Sequence, residues 1–279
     1  MRIRSRFLLI VAAVGFAAGL AAGQALALEF SPHRAIYGVT LDPASSGAVS
    51  EVSGNLSIDW QRGCSGWTFE YRSVIDVTQV ESGRVRLSTV ATTWESNTGS
   101  EYRFNVRHST NGHELEKIEG YAILKASGTA GTVNFTAPRE RTMTLPAGTL
   151  FPMGHSMAVM EAAVNRTAPV FLPLSVFDGM DVQGLYLVNA VIGKSPRAGA
   201  VSSDGAPEVP ALQRNHRMWP LSLAYFNKVE REAAPSHEMS LLLYENGVSD
   251  QLVIDFGDFK IRAHIEKLEF QSATDCNGR

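Results

Sequence analysis

Cysteine is almost absent: Cys64 and Cys276 are the only two in 279 residues. Neither has a histidine or another cysteine beside it at ligand spacing, which speaks against a metal centre built on them. The seven histidines, His33, His108, His113, His155, His216, His237 and His264, contain no H-x-x-x-H or H-E-x-x-H pair that a helix could aim at one ion. Charge runs, internal repeats and cofactor-binding motifs are missing as well, so no cofactor is expected. Long apolar runs are confined to the start of the chain.

That start has the three parts of an export signal. Arg2, Arg4 and Arg6 precede an apolar stretch from Phe7 to Leu20, and Ala25-Leu26-Ala27 supplies small residues before a cut that leaves Leu28 first. The stretch is shorter than the roughly 20 residues that span a bilayer, so residues 1–27 are read as a cleaved signal peptide and not as an anchor. The arginines are not a twin pair, which points to export of the unfolded chain and away from a preinserted redox cofactor. No cysteine stands at the cut to be acylated, so a lipoprotein is not expected. Of 25 basic residues the leader takes three, leaving 22 against 28 acidic ones, a formal charge of −6. Nucleic acid is therefore not an expected partner. In an oxidising compartment Cys64 and Cys276 are expected to be joined, with two buried free thiols as the alternative.

Beyond the leader the chain reads mostly in period two, the pattern of strands with one buried face. Ala35, Tyr37, Val39 and Leu41 share a face, and Ser53–Trp60, Thr68–Val80, Val85–Thr93 and Tyr102–His108 continue the alternation between turns at Arg62-Gly63, Ser82-Gly83 and Asn97-Thr98-Gly99. Val170–Val176, Gly184–Gly193, Trp219–Val229, Met239–Tyr244 and Leu252–Phe256 follow, with Glu245-Asn246-Gly247 as a hairpin turn. Phe259–Phe270 is read as the strand that closes the sheet. Turn signals every 8 to 12 residues predict a mainly antiparallel β protein: sandwich, barrel or coiled meander. Length alone leaves one or two domains open. Lys194–Asn215, with Pro196, Pro207 and Pro210, reads as a long flexible loop.

One segment has helical spacing. Met153, Met157, Met160 and Val164 recur at intervals of four, three and four, and Pro152 suits a first turn. The stripe reads as the face that packs on a sheet; its second possible use is as a pliable wall for an apolar cavity. Gly154-His155-Ser156-Met157-Ala158 comes close to the G-x-S-x-G elbow of serine hydrolases, but Pro152 and Gly154 interrupt the strand that an elbow requires. Ser156 is accordingly read as a first-turn helix residue, and His155 as a buried histidine satisfied by loop carbonyls.

The approach to this helix, Leu145-Pro146-Ala147-Gly148-Thr149-Leu150-Phe151-Pro152-Met153-Gly154-His155, resembles the central motif of the EipB family of bacterial cell-envelope integrity proteins. Val176-Phe177-Asp178-Gly179, Val191-Ile192-Gly193, Glu238-Met239-Ser240, Asn246-Gly247-Val248 and Gly257-Asp258-Phe259 resemble that family in the same order. The resemblance implies a soluble periplasmic protein of a Gram-negative bacterium, active in envelope integrity and stress resistance. It also implies that residues 28–279 form one long antiparallel sheet coiled into a barrel-like spiral around a short helix. The family's two cysteines fall on Cys64 and Cys276, and a bond between them is expected to join the two ends of the sheet. Leu145, Pro146, Gly148, Phe151, Pro152 and His155 are its candidate structural or binding motif. No catalytic residue is implied. The expected protein is a monomer that binds another envelope component, a periplasmic or envelope protein; the alternative is a carrier of lipid or another apolar ligand.

Overall fold

The computed structural model describes residues 30–45, 47–196, 217–229 and 233–276. Residues 1–27, read as a signal peptide, and most of the 194–215 segment, read as a flexible loop, lie outside these residues. In chain order the elements are β1 (His33–Leu41), β2 (Val49–Arg62), β3 (Gly66–Gln79), β4 (Gly83–Ser96), β5 (Glu101–Thr110), β6 (His113–Leu124), β7 (Gly131–Ala137), β8 (Arg141–Leu145) and β9 (Thr149–Leu150). After them come α1 (Pro152–Asn165), β10 (Val170–Phe177), β11 (Leu185–Ile192), β12 (Met218–Asn227), β13 (His237–Tyr244), β14 (Ser249–Asp255) and β15 (Lys260–Phe270). Alternation produces the strands as expected: Ala35, Tyr37 and Val39 of β1 point inward, as do Ile261, Ala263 and Ile265 of β15.

Among the described residues the strands form one sheet, in the order β8-β7-β6-β5-β4-β3-β2-β1-β15-β14-β13-β12-β11-β10-β9. Neighbours are antiparallel except β9 with β10. The chain therefore enters at the middle of the sheet, meanders outward to β8, jumps to the opposite edge at β9, and meanders back until β15 pairs with β1. Flat, fifteen strands would hold β8 and β9 about 65 Å apart at the usual spacing. Yet Leu145 and Thr149 are separated only by Pro146, Ala147 and Gly148, a link that reaches at most about 15 Å. The sheet has to roll until its edges meet, and it forms a nearly closed, barrel-like shell.

Aromatic packing closes the seam. Tyr102 stacks on Phe151 at 5.1 Å, and Phe104 meets Phe177 edge-on at 5.6 Å, so β5 is packed against the start of α1 and the end of β10. The Tyr102 hydroxyl donates to the Asp178 carbonyl at 2.6 Å. Gly179 follows with φ +66°, and a Cβ there would lie 2.8 Å from Phe104 Cγ, so both the backbone and the contact require glycine.

Two expectations are corrected by this order. Phe259–Phe270 does not close the sheet, because β15 lies in its interior between β1 and β14. Cys64 and Cys276 are joined, with Cα atoms 5.5 Å apart, but they tie the β2–β3 turn to the tail after β15, near the middle of the sheet and not across its edges. Thr274 N–H donates to the Arg62 carbonyl at 3.1 Å and Gln271 N–H to that of Pro32 at 2.9 Å, which holds the tail beside this bond.

Candidate functional site

The helix start is assembled from distant parts of the chain. Leu145 ends β8 fully buried, Gly148 turns with φ +84°, and Thr149 Oγ1 donates to the Pro146 carbonyl at 2.7 Å. Phe151 occupies the N-cap, where it has no side-chain oxygen to offer. A helix start normally leaves four N–H groups without intrahelical partners. The first intrahelical bond runs from His155 N–H to the Phe151 carbonyl at 2.8 Å, and Pro152 has no N–H to satisfy. The two N–H groups between them go to one carboxylate: Met153 N–H donates to Glu95 Oε2 at 2.7 Å and Gly154 N–H to Oε1 at 3.0 Å. Glu95 of β4 is thus the cap of α1. It is only 4% exposed, and burial pushes its carboxyl up to about 7 although the two N–H groups pull the other way.

Below the helix lies an apolar cavity of about 360 Å³. Val159 and Met160 of α1 face it, opposite Phe30, Trp60 and Tyr71 on one arm of the roll and Leu223 on the other. Among the described residues no Asp, Glu, Lys or Arg lines it. Its polar contributions from the helix are His155 and Ser156. Ser156 sits one turn into α1, with its hydroxyl donated to the Pro152 carbonyl at 3.0 Å, and no strand ends directly before it. His155 is buried, which pulls its imidazole down to about 4, so it is neutral at pH 7. The expected loop carbonyls do not satisfy it: Nε2 has no hydrogen-bond partner within the protein. The helix buries more than one stripe. Met153 and Met160 are buried, Met157 and Val164 are half-buried, and Val159, Ala162 and Ala163 widen the covered arc.

An open groove of about 780 Å³ runs over the outside of β3–β7, along Thr92, Trp94, Arg103, Tyr121 and Ile123. Although larger, it is a surface feature, with Arg103 laid 5.3 Å over the Trp94 ring.

A rolled sheet whose seam is the Leu145–His155 segment agrees with what comparison with known proteins finds. The EipB-like family model matches residues 24–272. This chain belongs to the EipB-like family. It is 29% identical over 273 residues to the cell envelope integrity protein EipB of Brucella abortus, covering 94% of this chain and 93% of that protein. The crystal structure of a β-barrel-like protein from Brucella abortus matches it with a TM-score of 0.76 at 26% identity, over 88% of this chain and all of that one.

In this EipB-like chain the motif read from the sequence divides in two. Leu145 and Phe151 belong to the aromatic core at the seam, Pro146 and Gly148 to the link, and Pro152 to the helix start; only His155 also borders the cavity. Glu95 was outside that motif, but β4 carried its signal. Ala91, Thr93 and Glu95 fall on the inward register, and a carboxylate there needs a partner from another element. Among the described residues no helix is long and apolar enough to cross a membrane.

Proposed function

We propose that this EipB-like chain is a non-enzymatic periplasmic protein that supports cell-envelope integrity by holding an apolar component of the envelope inside its rolled sheet. The cavity under α1 carries this reading: it is flanked by side chains from both arms of the roll, lined mainly by aliphatic and aromatic groups, and falls in the usual size range of small-molecule pockets. The role in envelope integrity rests on the name of the Brucella abortus relative. The leader read from residues 1–27 supports a periplasmic location for the mature chain. Ser156 lies inside the helix, hydrogen-bonded to Pro152 and without the strand-to-helix turn of a nucleophile elbow, which favours binding over hydrolysis. Native mass spectrometry of the mature protein purified from its own periplasm tests the proposal. A reproducible co-purifying lipid mass is expected, and a bare chain would overturn it. A second reading, docking of another envelope protein, is favoured by the outer groove with Trp94, Tyr121 and Ile123; crosslinking at Tyr121 distinguishes the two.

A further inference from the structure

Three buried side-chain polar atoms among the described residues lack a hydrogen-bond partner within the protein: His33 Nε2, His155 Nε2 and Asn246 Nδ2. Of these residues only His155 borders the apolar cavity. A buried polar atom that gives up water without a replacement is unfavourable, so a ligand that supplied one hydrogen bond there would gain from it. Two hydroxyls of the wall are already committed, Ser156 to the Pro152 carbonyl and Tyr37 to that of Ser249 at 2.7 Å, while Tyr71, Tyr225 and Ser249 bring further hydroxyls to the lining.

The lining also restricts charge. With no Lys or Arg among the described residues of the wall and an imidazole that burial keeps neutral, an ionised headgroup drawn into the cavity would be desolvated with no counter-charge. Size gives the third limit. A cavity of roughly 150 Å³ holds one benzene, so the present cavity of about 360 Å³ has room for a chain on the order of a dozen carbons. A neutral imidazole Nε2 is a donor in one tautomer and an acceptor in the other. A hydroxyl on the ligand matches either.

We propose, resting on the reading of the cavity as a ligand site, that it takes an uncharged single-chain lipid bearing a hydroxyl, and that the His155 imidazole on its wall hydrogen-bonds it. The probes are 1-decanol and decanoate, titrated calorimetrically at pH 8 into the delipidated mature chain and its His155→Phe variant. Phenylalanine keeps a ring of similar volume but no nitrogen. The parent is expected to bind decanol at least about tenfold more tightly than decanoate, and the variant to lose about tenfold for decanol, the value of one neutral hydrogen bond. In the parent, the ¹⁵N signals of the His155 ring should move on adding decanol, a readout that holds even if the variant fails to fold. Binding of both probes with equal affinity, or decanol binding that leaves the His155 ring signals unmoved, would overturn the assignment to His155 and leave the cavity as an apolar site. Binding of neither would overturn the cavity reading as well.

Discussion

Truncating Glu95 to alanine removes the acceptor of two helix N–H groups without touching the helix itself. Met153 N–H is fully buried and Gly154 N–H partly so. With an unpaired buried donor costing about 1–3 kcal/mol, the pair is worth about 2–4 kcal/mol, the half-exposed Gly154 bond counting least. The carboxylate also carries a burial penalty, since its pKa stands at about 7 against an ordinary 4.5. A group raised in the folded state contributes stability that is fully present below the unfolded pKa and is lost as pH rises through the folded one. Parent stability from this residue therefore falls between pH 4.5 and 7, and from pH 5 to pH 8 the loss is about 2–3 kcal/mol. The alanine variant lacks this slope. His155, depressed from 6.5 to about 4 in the folded protein, makes stability fall as pH drops below 6.5, but it does so in both proteins and cancels in their comparison. Urea unfolding of parent and variant at pH 5 and pH 8 isolates the term as a double difference. Glu95→Ala should destabilise by about 2–4 kcal/mol at pH 5 and by about 1 kcal/mol or less at pH 8. The opposite order would refute the reasoning, because it would mean that the positive end of α1 favours the ionised carboxylate by more than burial disfavours it.

The disulfide closes a separation of 212 residues, for which loop entropy gives an upper value of about 5 kcal/mol, so Cys64→Ser, Cys276→Ser and reductant should each lower the melting temperature by several degrees, with the double variant no worse than either single one. Two thiols titrating in native protein purified without reductant would contradict this. Met160→Asp puts a charge on a side chain 1% exposed and should abolish or severely weaken folding, whereas Met157→Leu at the half-buried position should shift stability by less than about 1.5 kcal/mol; equal melting of both variants and parent would place this face outside the core. Gly179→Ala meets both a positive φ and the Phe104 ring and should cost at least about 1–2 kcal/mol by chemical unfolding, while a neutral result would mean that the seam is loose.

Strands with polar outer faces were legible because alternation is a local property: β1, β3 and β15 can be read from their own residues. The region from β6 to β8 does not read as strands from its own residues, although Asn111-Gly112, both at positive φ, marks the hairpin into β6. In β6, charged residues such as Glu114, Glu116 and Lys117 occupy both faces at the exposed end, which erases the period there. Strand order was harder still, since an antiparallel meander read locally puts the last strand at an edge. The clue to the real order was the shortness of Pro146-Ala147-Gly148, which only matters once the strands on either side are known to be opposite edges. At the helix, a four-three-four methionine stripe identifies one buried face, but small Ala162 and Ala163 on its flank give no comparable signal. His155 could be seen as buried, whereas its lack of a partner depends on groups brought in from other strands.

Strand number explains why this fold contains both a helix and a cavity. An eight-stranded barrel has an interior that side chains alone can fill, while sixteen or more strands leave an open channel. Fifteen strands in one roll stand near the upper case, so the interior needs additional matter. On the β4–β8 side the aromatic cluster of Tyr102, Phe104, Phe135, Phe151 and Phe177 supplies it. On the other side α1 does, because a helix about 10–12 Å across fits where sheet faces cannot reach each other. Its 14 residues span about 21 Å, against roughly 46 Å for the 14-residue strands β2, β3 and β4 that pass around it. A helix of that length fills part of the roll and leaves the rest to whatever the flanking side chains enclose. Glu95 sets how deep it sits by fixing its first turn to the end of β4, and His155, one residue beyond the capped N–H groups, is carried to the cavity wall by the same bonds. The carboxylate that begins the helix thereby positions the one cavity-lining residue left with an unpaired buried nitrogen.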